Sequence, residues 1–187
     1  MKDFLQFILG FTPWIAFGML AGPSLVSLET AIVVGLVLAV VTSLSQLRKG
    51  FILAWGTLLF FLVSTVMVIG LKNIWFMQHL SVLVPTSMAA IAWLSLLVGR
   101  PFVLQIARES APMEHWNDPG FIANCRHLTI VWGFLFLVSL AVSLCKFLHA
   151  GGPEWLYQTI SFGSVLGGMA YTQWFKNKMK HQKARNL

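Results

Sequence analysis

Residues 51–70 read FILAWGTLLFFLVSTVMVIG, a run without a single acidic or basic side chain. The hydrocarbon core of a bilayer, about 30 Å thick, is crossed by about 20 helical residues. The stretch therefore predicts a transmembrane helix, and similar apolar windows flank it on both sides. Together they cover residues 4–21, 31–46, 51–70, 81–99, 128–150 and 157–175. In lipid, every backbone N–H and C=O must find a partner inside the protein, so spanning segments are helices or closed barrels. Long continuous apolar runs suit helices, whereas barrel strands alternate over about ten residues. The fold expected is an all-α polytopic transmembrane bundle of six spans, one domain across residues 1–187.

Composition agrees. The chain is 57% hydrophobic and 10% charged, which leaves too little polar sequence for a separate soluble domain. Its net charge of +7 sits between the windows and in the tail, a pattern that membrane orientation explains better than nucleic-acid binding. With the N-terminus inside, the inner segments hold Lys2, Arg48, Lys49, Arg100, Arg108, Arg126, Lys176, Lys178, Lys180, Lys183 and Arg185. The outer segments hold Lys72 and Lys146 alone. Positive charge favours the cytoplasmic side, so both termini are expected there. The tail, residues 176–187, is expected to grip the anionic inner leaflet. The first window lacks a small-x-small cleavage site and reads as a retained helix, not a signal peptide.

Small residues mark packing positions. Gly18 and Gly22 in the first span, with Gly163, Gly167 and Gly168 in the sixth, have the four-residue spacing that lets helices approach closely. They are assigned to packing within the bundle, with a homodimer seam as the other use. Cys125 and Cys145 lie twenty residues apart on one expected helix. At 1.5 Å per residue that is about 30 Å, so no disulfide joins them.

The fourth connection, residues 100–127, is the long one, and it holds half the acidic residues of the chain. Its opening, Pro101 to Glu109, predicts a short helix lying at the inner membrane surface. Phe102, Val103, Ile106 and Ala107 share its apolar face, with Gln105, Arg108 and Glu109 elsewhere. Pro112, Asn117, Asp118 and Pro119 read as turn residues before the fifth span. Glu114, His115, Asp118, Cys125 and His127 are capable metal ligands, but their order matches no zinc motif. Capping and pairing with Arg108 or Arg126 is the expected use. No metal, cofactor or catalytic residue is assigned.

The same connection carries a family resemblance. Pro101-Phe102-x-Leu104-Gln105-x-Ala107-Arg108-Glu109, then Pro112, Trp116, Pro119 and Phe121, then Arg126-x-x-Thr129-x-x-Trp132-Gly133, resembles a widespread set of small, generally uncharacterised bacterial inner-membrane proteins. Some of those are labelled as similar to intracellular septation protein A. The block spans about thirty residues, and Cys125 stands where the pattern has Asn before the Arg. The resemblance implies a bacterial inner membrane and an envelope-related role, with no reaction or substrate.

No Asp, Glu, Lys or Arg lies near the middle of any window, which argues against a proton pump or charge-relay enzyme. The expected function is a non-catalytic scaffold or accessory factor in envelope maintenance or division. Phe102, Gln105, Arg108, Glu109, Trp116 and Arg126 would form the contact surface for a membrane-protein partner. The alternative is a small carrier or channel for neutral or lipid-like cargo, its path lined by Ser64, Thr65, Ser139 and Ser143.

Overall fold

The computed structural model describes residues 2–148 and 154–185, with side chains from Gly10 to Met179 except residues 110, 154–156, 158 and 161–162. Positions 149–150 of the fifth window, the last two residues of the tail, and the side chains of Lys2, Lys180, Lys183 and Arg185 lie outside the described residues.

The described residues form helices joined by short connections, without a strand. Helices α1 (Lys2–Leu20) and α2 (Leu25–Arg48) come first. Helix α3 (Ile52–Ser64) runs on into a π-helical stretch, Thr65–Gly70. There follow α4 (Ile74–Leu97), α5 (Phe102–Ser110), a 3-10 turn at Met113–His115, α6 (Pro119–Phe147) and α7 (Glu154–Arg185). Four stretches are long and apolar enough to cross a membrane: Leu25–Arg48, Ile52–Gly70, Ile74–Leu97 and Pro119–Phe147. The protein is an all-helical one of membrane type.

Several helices outrun their apolar windows, and the caps explain why. Ser24 accepts from Ser27 N, Asn73 from Phe76 N and Asp118 from Gly120 N, each satisfying an N–H that the first turn leaves free. These caps start α2, α4 and α6 several residues before the hydropathy rises. Asp118 with Pro119 at the first helical position moves the start of α6 to Pro119, nine residues ahead of the expected 128. At its far end α7 stays helical to Arg185, so the basic tail is largely a helical extension. Two helices stop alike. Gly50 (φ 71°) and Gly99 (φ 72°) take the left-handed conformation, with bonds from Phe51 N to Gln46 O and from Arg100 N to Ser95 O. That is the Schellman closure, which favours glycine.

Helix α1 joins two halves of the core. Phe11 stacks on Trp132 of α6 at 5.2 Å and meets Phe102 of α5 edge-on at 6.3 Å. Trp14 packs on Phe60 and Phe61 of α3, and its Nε1–H donates to Thr57 Oγ1 at 3.0 Å. Helix α4 lies along α6, and α7 packs on α6, where Trp132 Nε1–H donates to Thr172 Oγ1. Outward, α2 exposes Val33, Val37, Val41 and Leu44, an apolar face suited to lipid.

The packing glycines are mostly not the expected ones. A Cβ on Gly35 would sit 2.3 Å from the Phe61 ring, one on Gly56 2.5 Å from Ile91, and one on Gly133 3.1 Å from Trp93. Of the expected positions, Gly168 lies at a helix contact, 2.8 Å from Leu135 on the same measure. Gly163 and Gly167 face open space, Gly22 sits in an exposed turn and Gly18 is exposed. Spacing marks where small residues lie, but the large side chain they must admit decides which are used.

Candidate functional site

Helix α5 closes one end of the bundle. The Gly99 turn reverses the chain after α4, and Pro101 O accepts from Leu104 N and Gln105 N to start the new helix. Phe102 N donates to Ser95 Oγ, which itself donates to Ala92 O, so the turn is tied to the end of α4. Phe102, Val103, Leu104 and Ile106 are all buried, none more than 5% exposed. Phe102 rests on Phe11. Leu104 lies off the face expected to carry the burial, so α5 is enclosed around most of its girth. The short helix exists as expected, but it is wedged between α1, α4 and α6 instead of lying flat on a surface.

Its polar residues fasten the wedge. Gln105 Oε1 accepts from Ile52 N at 2.8 Å, capping the start of α3, while its Nε2 donates to Arg100 O. Glu109 pairs with Lys49 at 2.8 Å, its side chain 9% exposed. Arg108 Nη2 donates to Trp116 O at 3.0 Å, and its guanidinium lies 5.8 Å from the Trp116 ring. Trp116 Nε1 in turn donates to Ala111 O. Five of the six residues expected at a partner surface, Phe102, Gln105, Arg108, Glu109 and Trp116, are thus engaged within the chain. Arg126 stands apart, exposed on α6. One hydrogen-bond donor is left over: Arg108 Nε is buried with no partner.

The same end gathers the α2–α3 turn, α5, the start of α6 and the end of α7, where Asn124 Nδ2 donates to Met179 Sδ. A shallow groove of about 270 Å³ opens there between His115, Asp118, Phe121 and Met179. At the opposite end Lys72, whose φ is 48°, pairs with Glu29.

The possible metal ligands do not converge. Asp118 is committed to its cap, His127 Nε2 meets Tyr171 OH at 3.1 Å, and Cys125 is buried. Among the described residues no three His, Cys, Asp or Glu gather at one point. Both cysteines are free.

Compared with known proteins, the chain matches no family model, no curated protein and no solved structure. Its own contacts therefore have to account for the block that opens at Pro101, and they do so as parts of a seat. Phe102, Leu104, Gln105, Arg108, Glu109 and Trp116 are the wedge and its fastenings, Trp132 stacks on the Phe11 ring that Phe102 also meets, and Gly133 makes room for Trp93 of α4. Sequence reading missed Lys49, Ser95 and Ile52, the other halves of these contacts. Lys49 and Glu109 lie sixty residues apart with no local signal to connect them.

The span hydroxyls divide. Thr65 Oγ1 donates to Phe61 O and Ser139 Oγ to Leu135 O, the usual bond to the preceding turn. Ser64 Oγ is fully buried without a partner, directly before the π-helical stretch.

Proposed function

We propose that this chain is a non-catalytic inner-membrane protein that crosses the bilayer six times, with both termini and the α5 end in the cytoplasm, serving as a scaffold or accessory factor in envelope maintenance or division. The observation that supports it most is the gathering of polar side chains at the α5 end above an interior filled by aromatic side chains. Binding residues are commonly carried on connections that a packed core positions. With Phe102, Gln105, Arg108 and Glu109 turned to internal contacts, the surface left for a membrane-protein partner is Met113, Glu114 and Arg126, all exposed. Met113 is 78% exposed, unusual for an apolar side chain in a polar turn. The link to the envelope rests on the block's resemblance to the septation protein A-like set.

The test is co-purification after mild solubilisation. Met113→Glu with Arg126→Glu should abolish recovery of the partner while the amount of protein inserted in the membrane is unchanged. Full recovery with both replaced would remove the proposal. Arg108 and Trp116 are poor choices for this test, because each holds the other in place.

A carrier for neutral or lipid-like cargo has one observation in its favour, the unmet Ser64 hydroxyl beside a π-helical stretch. Such stretches often occur at functional sites. Uptake into proteoliposomes that Ser64→Ala abolishes would support it; uptake indistinguishable from empty vesicles would exclude it.

A further inference from the structure

We infer that α5 is a two-position plug, seated in the bundle or lying on the inner leaflet, and that anionic phospholipid headgroups draw it out. This goes beyond the scaffold role; it rests on the proposed placement of the α5 end at the cytoplasmic leaflet.

The sequence of α5 suits two environments. Its apolar Phe102, Val103, Leu104 and Ile106 fill the seat, and Gln105, Arg108 and Glu109 lie at the rim. A short amphipathic helix with basic and acidic rim residues is also the pattern that lies in the headgroup plane of a membrane. Short non-helical joints flank the helix. The Gly99 closure precedes it, and an extended Ala111 followed by Pro112 comes after. Between those joints, the fastenings to the α2–α3 turn are two side-chain contacts, Glu109 to Lys49 and Gln105 to Ile52 N.

The seated position is also incomplete. Arg108 Nε is buried and makes no hydrogen bond. A buried donor without a partner is a standing cost, heavier when the group is charged. A guanidinium at the leaflet surface would meet phosphate oxygens with its whole fork of donors. The same phosphates would compete with Glu109 for Lys49, which is more than half exposed. Anionic headgroups therefore weaken the latch and supply what the seat leaves unmet. Withdrawal would uncover Phe11, on which Phe102 packs and which lies in turn against Trp132 and Phe136.

Cys125 is a native reporter. It is buried on α6, in the core cluster that includes the α5 side chains, and both Lys176 of α7 and Arg108 of α5 lie within electrostatic reach of it. With Cys145, which is exposed, replaced by Ser, the rate of Cys125 alkylation by N-ethylmaleimide reads its uncovering. The protein is reconstituted in nanodiscs of phosphatidylcholine alone or mixed with phosphatidylglycerol, and hydrogen exchange of residues 104–111 is followed in parallel. Alkylation should be slow in phosphatidylcholine and about tenfold faster with phosphatidylglycerol, the change expected when a charged contact is lost. Exchange over 104–111 should accelerate in step, while residues 129–136 of α6 stay protected. Glu109→Gln should raise the rate about tenfold in phosphatidylcholine and blunt the lipid response. Equal alkylation in both lipids overturns the plug, and this arm needs no latch variant. So does faster alkylation without faster exchange of α5, which would mean that another element uncovers the thiol.

Discussion

Gly35 and Gly167 have the same chemistry and opposite surroundings. A methyl on Gly35 would enter the Phe61 ring, which Trp14, Phe17 and Phe60 hold on its other sides. Gly35→Ala should therefore destabilise by about 1–3 kcal/mol, the cost of overpacking a filled core. Gly167→Ala meets open space and should be neutral or stabilising by up to about 1 kcal/mol through lower chain entropy. Thermal unfolding of the two variants in detergent measures the contrast; equal shifts would mean that the α2–α3 contact is not so tight. Thr57→Val is the polar counterpart. It leaves Trp14 Nε1–H buried without an acceptor and should cost about 1–3 kcal/mol. The small-residue spacing was legible in the sequence as helix-packing chemistry. Which glycines served it was not, because the answer lies in Phe61, Ile91 and Trp93, each on another helix.

At the level of elements, helices announced themselves by hydropathy and their boundaries by capping chemistry. Asp118-Pro119 was visible as a turn signal, yet the nine residues from Pro119 to His127 are too polar to read as part of a span. They are helical because Asp118 caps them and Cys125 packs inward. Helix α5 was legible as a helix and as amphipathic. Its seat was not legible, since an apolar face fits lipid and protein equally well until the opposing surface is known. The contacts that choose the protein seat give a direct prediction. Gln105→Leu keeps the volume near that of glutamine but removes the acceptor for Ile52 N. It should destabilise by about 1–3 kcal/mol, with faster hydrogen exchange at residues 51–53 and 102–110. Exchange confined to α5, with the start of α3 unaffected, would show that Gln105 is not the cap of α3.

For the molecule as a whole, the bundle has two unlike ends. One brings together Arg48, Lys49, Arg100, Arg126 and the helical extension of α7, and the other presents Lys72 beside Glu29. Charge counting along the sequence groups the same residues, and it does so without any contact information, because each helix reverses the chain. The proposed sidedness rests on the rule that loops rich in Lys and Arg stay on the cytoplasmic side. Single cysteines test it in a Cys125→Ser, Cys145→Ser background. Met113→Cys and Leu71→Cys suit the purpose, since both positions are exposed and lie at opposite ends. In intact cells a membrane-impermeant maleimide should label the Leu71 site and spare the Met113 site; in inverted vesicles the pattern should reverse. A Met113 site labelled from outside would put the α5 end in the wrong compartment for an anionic inner leaflet. Labelling of both sites from one side would mean that α4, the long helix between them, does not cross. A Met113 site labelled from outside would also withdraw the scaffold surface on Met113 and Arg126, because a cytoplasmic partner could no longer reach it.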